Sequence, residues 1–385
     1  MSGIYIHIPF CKKACFYCDF HFSVNHKNKQ DMIASICKEL EIRKYFFLPN
    51  STIETIYFGG GTPSVLNKLE LETILDTVRN NFIISEDAEI TFECNPDDLN
   101  QDYLQALYNL GVNRLSIGIQ SFNDETLKWM NRSHTNNQSI SCMEEAGKIG
   151  FNNFTIDLIY GIPQLSIEEW IKTVDCALDL PINHISAYSL TLENNTPYKR
   201  LVDQKKYKKP DNDLASKHFE ILIEKMESKG WEQYEVSNFC MPGEYSKHNT
   251  AYWLGKPYLG IGPSAHSFKD KKRYWNISDN KKYVSRLKEG ELFHDGEELT
   301  IVNQFNERIL TGLRTKWGVN LNALQDDFHF DLQIEQTKNL EVWKKKGWIV
   351  LEDRVLKLSK TGYLFADFIS SELFLDEDYS SQTLS

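Results

Sequence analysis

No stretch of this 385-residue chain approaches the roughly 20 consecutive apolar residues that a bilayer-spanning helix needs. The chain is therefore read as soluble, with peripheral membrane contact left open. A basic-apolar leader with a cleavage site is also missing, and the eight cysteines are scattered apart from one cluster; both features predict a reducing, cytoplasmic setting rather than a disulfide framework. Acidic residues outnumber basic ones, 54 to 43. A formal net charge of -11 disfavours nonspecific nucleic-acid binding, which relies on Lys and Arg to neutralise phosphates. The lysine-rich run 199–209 departs from that balance locally and is read as a solvated loop or helix approach. Length is not lacking: it suffices for one large domain plus a smaller one, each with its own core.

Five cysteines, Cys37, Cys94, Cys142, Cys176 and Cys240, are read as ordinary buried small residues. The other three are concentrated. Cys11, Cys15 and Cys18 form a C-x3-C-x2-C run directly after an apolar segment, with no fourth cysteine following. A cuboidal iron-sulfur cluster wants one sulfur per iron, so three protein thiolates leave one iron with an exchangeable position where chemistry can occur. Two alternatives stay open: a zinc site completed by His7 or His21, and three structural cysteines. Zinc motifs generally add a second cysteine pair or later histidines at set spacing, and no second pair is present, so the cluster is the stronger expectation.

Short β-branched and aromatic runs at 4–8, 55–58, 89–93, 114–119, 153–159 and 184–190 alternate with amphipathic stretches at 29–47, 68–81, 101–110, 139–149 and 167–180. This rhythm predicts an α/β fold, a partial (β/α)6 barrel resembling an open TIM barrel. After Leu192 the rhythm stops. Residues 1–192 are thus expected to form the barrel and 193–298 an extension covering its site. Residues 299–375 are expected to form a mostly α, winged-helix-like domain: helices near 304–311 and 332–346, a hairpin at 348–358 and a final helix from Thr361. The acidic balance favours packing or partner docking over DNA binding for that module. The polar end, 376–385, is expected to be a disordered tail.

In barrels of this kind the reactive groups gather at the C-terminal edge of the strands. Cys11 follows the first strand, the Gly59 to Pro63 turn follows the second, Glu93 closes the third and Gln120 with Ser121 closes the fourth. Asp157 and Ala187 lie on the fifth and sixth. Gly60 and Gly61 permit close backbone approach to a ligand, and Thr62 adds a hydroxyl. Glu93 can counter a cation, Gln120 and Asp157 can hydrogen-bond hydroxyl or amine groups, and Arg132 offers a planar fork for a carboxylate.

The motifs around these residues carry a family resemblance. Tyr5, His7, Pro9 and Phe10 before the triplet, Tyr17, Asp19 and Phe20 at its end, and the frames Phe-Gly-Gly-Gly-Thr-Pro, Ser-Ile-Gly-Ile-Gln-Ser-Phe and Ile-Asp-Leu-Ile-Tyr-Gly-Ile-Pro are similar to radical S-adenosylmethionine (SAM) enzymes. Within that superfamily they resemble the oxygen-independent coproporphyrinogen oxidases. The runs Tyr-Glu-Val-Ser-Asn-Phe, His-Asn-Thr-Ala-Tyr-Trp and Gly-Ile-Gly-Pro-Ser-Ala-His-Ser resemble the HemW-type haem chaperones most specifically.

The resemblance implies a radical SAM barrel with a 4Fe-4S cluster on Cys11, Cys15 and Cys18. It also implies S-adenosyl-L-methionine contacts at Tyr5, Tyr17, Gly60, Gly61, Thr62, Glu93, Gln120, Arg132, Asp157 and Ala187. Some of these contacts served a second SAM molecule in the oxidases. Haem is implied as cargo, with His248 as first candidate iron ligand, His266 as second, and Tyr252 and Trp253 able to pack on a porphyrin. A histidine hydrogen-bonded within a polar environment is an equally good account of either one. Apo-haemoproteins such as respiratory enzymes are the implied acceptors, with membrane association and a homodimer conceivable. The competing expectation is the oxidase itself, acting in porphyrin biosynthesis by decarboxylating coproporphyrinogen III. Decarboxylating members carry another cysteine two residues after the third; this chain has Phe20 there, and Asn249 and Thr250 where the oxidases have a Phe-Gln pair.

Overall fold

The β-branched runs become six consecutive parallel strands in the structure, a computed structural model that describes residues 2–292 and 294–376. They are β1 (Gly3–Ile8), β2 (Thr52–Gly60), β3 (Ile83–Cys94), β4 (Arg114–Gln120), β5 (Phe154–Tyr160) and β6 (His184–Ser189). Parallel strands covered on both faces need continuous burial. All seven residues of β4 are buried, and six of seven in β5. Helices cross between successive strands, and three begin with reciprocal capping boxes: Asn67 with Glu70, Thr135 with Gln138 and Ser166 with Glu169. The Thr135 box explains why the helix Asn136–Ile149 starts earlier than apolar periodicity indicates. The first helix, Lys29–Ile42, is shorter than expected because Arg43 turns aside, bonding Glu39 at 3.2 Å and the Gly260 carbonyl at 3.1 Å.

The sheet does not stop at six strands. On one edge β7 (Glu232–Glu235) and β8 (Asn238–Cys240) continue beyond β6; on the other, β9 (Tyr258–Ile261) pairs parallel with β1 and leads to β10 (His266–Lys269), β11 (Lys272–Asn276) and β12 (His294–Glu298). The segment expected to form an extension contributes strands to both edges, and the sheet widens to 12 strands. Buried Glu39 fastens this extension to the first helix. Its carboxylate accepts from Tyr283 at 2.6 Å, Asn276 at 2.8 Å and the Gly262 amide at 2.9 Å, so a buried charge is fully partnered.

The helix Ile301–Leu313 and the residues after it stand between the two ends of the open sheet: Glu307 pairs with Arg273 of β11, and the Arg314 carbonyl accepts from Val236, just past β7, at 3.0 Å. Beyond lies a second, three-stranded sheet of β13 (Val319–Asn320), β14 (Ile349–Glu352) and β15 (Val355–Leu358), in the order β13-β15-β14. Its hairpin turns on Asp353 and Arg354, both at positive φ (49° and 60°), the conformation that suits the twist of a two-residue loop. The helix expected over 332–346 divides at Gln336 into Leu332–Glu335 and Thr337–Lys345. The expected tail, 376–385, lies outside the described residues apart from Asp376. Among the described residues no helix is long and apolar enough to cross a membrane. Of the five scattered cysteines, Cys94, Cys142 and Cys240 are buried but Cys37 and Cys176 only partly so.

Candidate functional site

The triplet loop leaves β1 at the C-terminal edge of the sheet and is tied down by backbone. Cys11 N–H donates to Ser23 at 3.1 Å, Phe16 N–H to Met130 at 3.1 Å, and Asn131 Nδ2 to the Ala14 carbonyl at 2.7 Å. The end of β2 docks on the same loop: Gly61 N–H donates to Ile8 at 2.9 Å and Thr62 N–H to Phe10 at 2.7 Å. Gly61 has no room for a side chain, since a Cβ would stand 2.6 Å from the Phe10 carbonyl oxygen. Gly60 adopts φ +107°, which an L side chain resists, and a Cβ there would strike the His7 ring at 2.6 Å.

These elements enclose a cavity of about 710 Å³. It is lined by all three cysteines and by Tyr17, Gly60, Gly61, Thr62, Glu93, Gln120, Arg132 and Asp157. Eleven sequence-derived positions from five strands and their following loops therefore share one wall. Tyr5 and Ala187 do not line it. Tyr5 lies behind Gly59, its hydroxyl 3.1 Å from His7 Nδ1, and Ala187 is buried within β6. Gln120 sits at positive φ (67°), just after a register shift between β4 and β5; such strain on a non-glycine residue clusters at functional positions.

The donor chemistry suits an iron-sulfur cluster. Thr62 Oγ1 donates to Cys11 Sγ and Arg132 Nη1 to Cys15 Sγ, each at 3.3 Å. Burial pushes the Cys11 thiol up to about 11 and Cys18 to about 12, a cost that a metal centre reverses by binding the thiolates. The zinc alternative finds no support. His7 is engaged with Tyr5 and with the His21 carbonyl, and His21 with Asn280 at 2.7 Å and Ser278 at 3.2 Å. Among the described residues no three His, Cys, Asp or Glu side chains group around a point that would hold a single ion.

A bound anion is also accommodated. Arg132 Nη2 donates at 2.7 Å to both Asn95 Oδ1 and the Gly118 carbonyl, while its Nε is buried with no protein partner, a donor left for a ligand carboxylate. For a cation the site offers Glu93 and Asp157. Glu93 accepts from Tyr57 at 2.8 Å and from the Gly60 amide, and burial raises it to about 7. Asp157 accepts from Ser186 and is raised by burial to about 6. Residues that sequence patterns did not single out complete the wall. Asn95, Gly118 and Tyr188 lie next to flagged strand ends, but Arg314 and the segment 363–368 arrive from the C-terminal module with no local signal.

Neither histidine offered as an iron ligand lines the cavity. His248 sits near the start of β1 and β2, the opposite end from the triplet: its Nδ1 is 2.8 Å from Thr55, its ring 5.0 Å from Tyr57, and a Cβ on Gly3 would touch it. The helix Lys247–Trp253 would have to move to bring His248 to the cysteines. His266 is exposed on β10, its ring 6.1 Å from that of Trp275.

Comparison with known proteins agrees with this geometry. The Radical SAM superfamily model matches residues 5–177. A protein of Bacillus subtilis named "Heme chaperone HemW" is 32% identical over 95% of this chain and 97% of its own. Proteins of the same name from Lactococcus lactis and Escherichia coli are 35% identical (85% of each chain) and 36% identical (69% of each). Among solved structures, the radical SAM enzyme coproporphyrinogen III oxidase (HemN) of E. coli matches with a TM-score of 0.83 at 23% identity, covering 97% of this chain and 90% of its own, a likeness of fold. Cysteine triplet, cavity and near full-length similarity together show that the chain belongs to the HemW family of the radical SAM superfamily, whose membership implies a 4Fe-4S cluster and SAM.

Proposed function

We propose that this chain is a haem chaperone that binds haem and delivers it to apo-haemoproteins while keeping a cluster-and-SAM cavity at its centre. The observation that carries this reading is similarity to proteins named as haem chaperones across almost the entire length, C-terminal module included. Phe20, where decarboxylating oxidases carry a further cysteine, lies at the cavity and is 69% exposed, adding an apolar surface instead of a thiol. The HemN likeness supports the oxidase alternative only at the level of fold, which does not fix function. Respiratory enzymes as acceptors, peripheral membrane docking, cytoplasmic location and a homodimer belong to the same proposal. The test is anaerobic: the reconstituted chain is given coproporphyrinogen III, SAM and a reductant. No protoporphyrinogen IX is expected, and its formation with matching 5'-deoxyadenosine would restore the oxidase.

Cys11, Cys15 and Cys18 would hold the cluster, which when bound supplies a single electron to the sulfonium of SAM. The chain's own residues do the placing. Arg132 Nε, buried without a protein partner, would be the donor for the methionine carboxylate, the Gly60-Gly61-Thr62 turn in the cavity wall would receive the amino acid end, and Glu93 and Asp157 would counter positive charge. Folding raises Glu93 from 4.5 to about 7, so the folded chain holds that proton more tightly than the unfolded one. Its contribution to stability is present below 4.5 and lost as pH rises through about 7. A cation beside Glu93 favours the ionised form, so SAM binding is expected to weaken as pH falls. Below pH 7 the apparent Kd should rise by up to about tenfold per pH unit, and Glu93→Gln should bind weakly with a profile that is flat above about pH 6 and falls only where Asp157 takes up its proton. Equilibrium dialysis across this range checks it; an unchanged slope in Glu93→Gln would remove Glu93 from the role.

A further inference from the structure

The lysine-rich run packs against the cysteine triplet. Residues 196–210 hold six basic side chains and one acidic, in a chain whose net charge is -11. Thr196 caps the short helix Pro197–Asp203, its hydroxyl accepting from Lys199 N–H at 3.2 Å. The chain then doubles back. The Lys206 and Tyr207 amides both donate to the Leu201 carbonyl, at 2.9 and 3.2 Å, and the Tyr198 hydroxyl donates to the Lys208 carbonyl at 2.8 Å. The anchor is Phe16, next to Cys15 in the triplet loop. Phe16 N–H donates to the Met130 carbonyl at 3.1 Å, while its own carbonyl accepts from Tyr198 N–H at 2.8 Å. Its ring meets that of Tyr207 with centroids 6.1 Å apart, and Tyr207 stacks on Trp129 at 4.7 Å.

Lys199 is paired with Asp203 at 2.7 Å. Arg200, Lys205, Lys206, Lys208 and Lys209 are exposed and have no acidic partner among the described residues. Like charges held together repel, and surfaces ordinarily intersperse carboxylates to avoid it; an acidic partner relieves the repulsion. No large apolar side chain is exposed between residues 196 and 210, and none of these residues lines the cavity. A segment that lies on a membrane needs an apolar face beside its lysines, and nucleic acid would be repelled by the rest of the chain. Charge without an apolar centre fits a small, transient, salt-sensitive contact, the class to which electron-transfer encounters belong.

We propose that this basic face docks an acidic one-electron carrier protein that reduces the cluster. The inference rests on the cluster reading above: an electron passed to the sulfonium of SAM has to be replaced from outside. The carrier loses one electron, the cluster gains it, and no proton or atom changes hands. Phe16 is clamped between Met130 and Tyr198 and adjoins Cys15, so a carrier seated on the lysines meets the ligand loop from outside. It leaves the cavity itself free for SAM and cargo.

The experiment uses the full chain and a strongly acidic plant-type ferredoxin. Binding is measured by calorimetry, and cluster reduction after anaerobic reconstitution by electron paramagnetic resonance of freeze-quenched samples. The variant Lys205→Gln/Lys206→Gln/Lys208→Gln/Lys209→Gln changes only exposed side chains. Its ferredoxin Kd should rise roughly tenfold or more, with a shallower dependence on salt, and the same four positions changed to Arg should stay within about twofold of the unaltered chain. Reduction by ferredoxin should slow in parallel in the Gln variant, whereas reduction by the methyl viologen radical cation, which needs no docking, should not slow. Equal ferredoxin binding and reduction by the unaltered chain and the Gln variant would overturn the inference and leave the cluster reading intact. Capture by anionic vesicles that depends on the four lysines, with ferredoxin binding unchanged, would assign the face to lipid and overturn it as well. A chain that takes up no cluster would overturn the cluster reading first and this inference with it.

Discussion

Replacing any one of Cys11, Cys15 or Cys18 by alanine is expected to reduce bound iron from about four atoms per chain to near zero after anaerobic reconstitution. The size of the effect follows from the site's economy. On this reading three protein sulfurs would hold the cluster and one fewer would leave two irons unanchored, while His7 and His21, the histidines a zinc site would use, already have partners on both ring nitrogens. The fold should survive the change, because the loop's amides donate to the Ser23 and Met130 carbonyls and its Ala14 carbonyl accepts from Asn131 Nδ2, bonds that do not involve the thiols. Cys37→Ala and Cys176→Ala are the controls, since both cysteines lie apart from the cavity and should leave iron content unchanged. Iron and acid-labile sulfide assays decide it, and full iron retention in any triplet variant would mean that the ligand set is different.

Gly61→Ala should be nearly as damaging to the site, for a different reason. Its Cβ would meet backbone on three sides, the carbonyl oxygens of Phe10 and Ile8 at 2.6 and 2.9 Å and the Phe10 nitrogen at 2.9 Å, and backbone in a strand end cannot rotate away as a side chain can. The substitution must push the end of β2 off the triplet loop, stretching the bonds Gly61 to Ile8 and Thr62 to Phe10. A loss of about 2–3 kcal/mol of stability is expected from this overpacking, together with loss of the cluster. Gly230→Ala makes a useful contrast. That residue has φ +76° but nothing within 4 Å of its would-be Cβ, so only backbone strain of about 1 kcal/mol is at stake and the cluster should remain. Urea unfolding of the two variants separates crowding from strain; equal losses would mean that the β2–triplet junction yields more readily than its geometry indicates.

Both effects arise where local sequence signals are strongest, and that is also where the structure was most legible in advance. The six parallel strands follow from alternation of β-branched runs with amphipathic stretches, and the triplet and Phe-Gly-Gly-Gly-Thr-Pro turn mark their own places at strand ends. What stayed hidden depends on contacts distant in sequence. β13 has only two residues and exists because it pairs with β15; no periodicity can be read from two residues. Glu39 reads as one more charge on a helix, yet it is buried because Tyr283, Asn276 and Gly262 reach it from more than 200 residues away. Arg314 and Phe368 carry no motif and become part of the cavity only because the C-terminal module folds back over it. In the His-Asn-Thr-Ala-Tyr-Trp run, whose chemistry suits iron ligation or a hydrogen-bonded histidine equally, the fold supplies the partners of the second: Ser246 caps the helix Lys247–Trp253, the Lys247 and His248 amides donate to Glu89, and the His248 side chain meets Thr55. Motif chemistry names a residue's capabilities, whereas its neighbours decide which one is available.

The measurement that bears most directly on the chaperone account is transfer. The reconstituted chain, loaded with one equivalent of haem and freed of excess, is mixed with an apo-haemoprotein, and the acceptor's absorption spectrum is followed. The account predicts a near-stoichiometric shift of haem to the acceptor, faster than from an equal amount of haem held by an unrelated carrier, and no porphyrinogen turnover in a parallel anaerobic sample. Haem that stays on the chain, or passes on no faster than from that carrier, would contradict it.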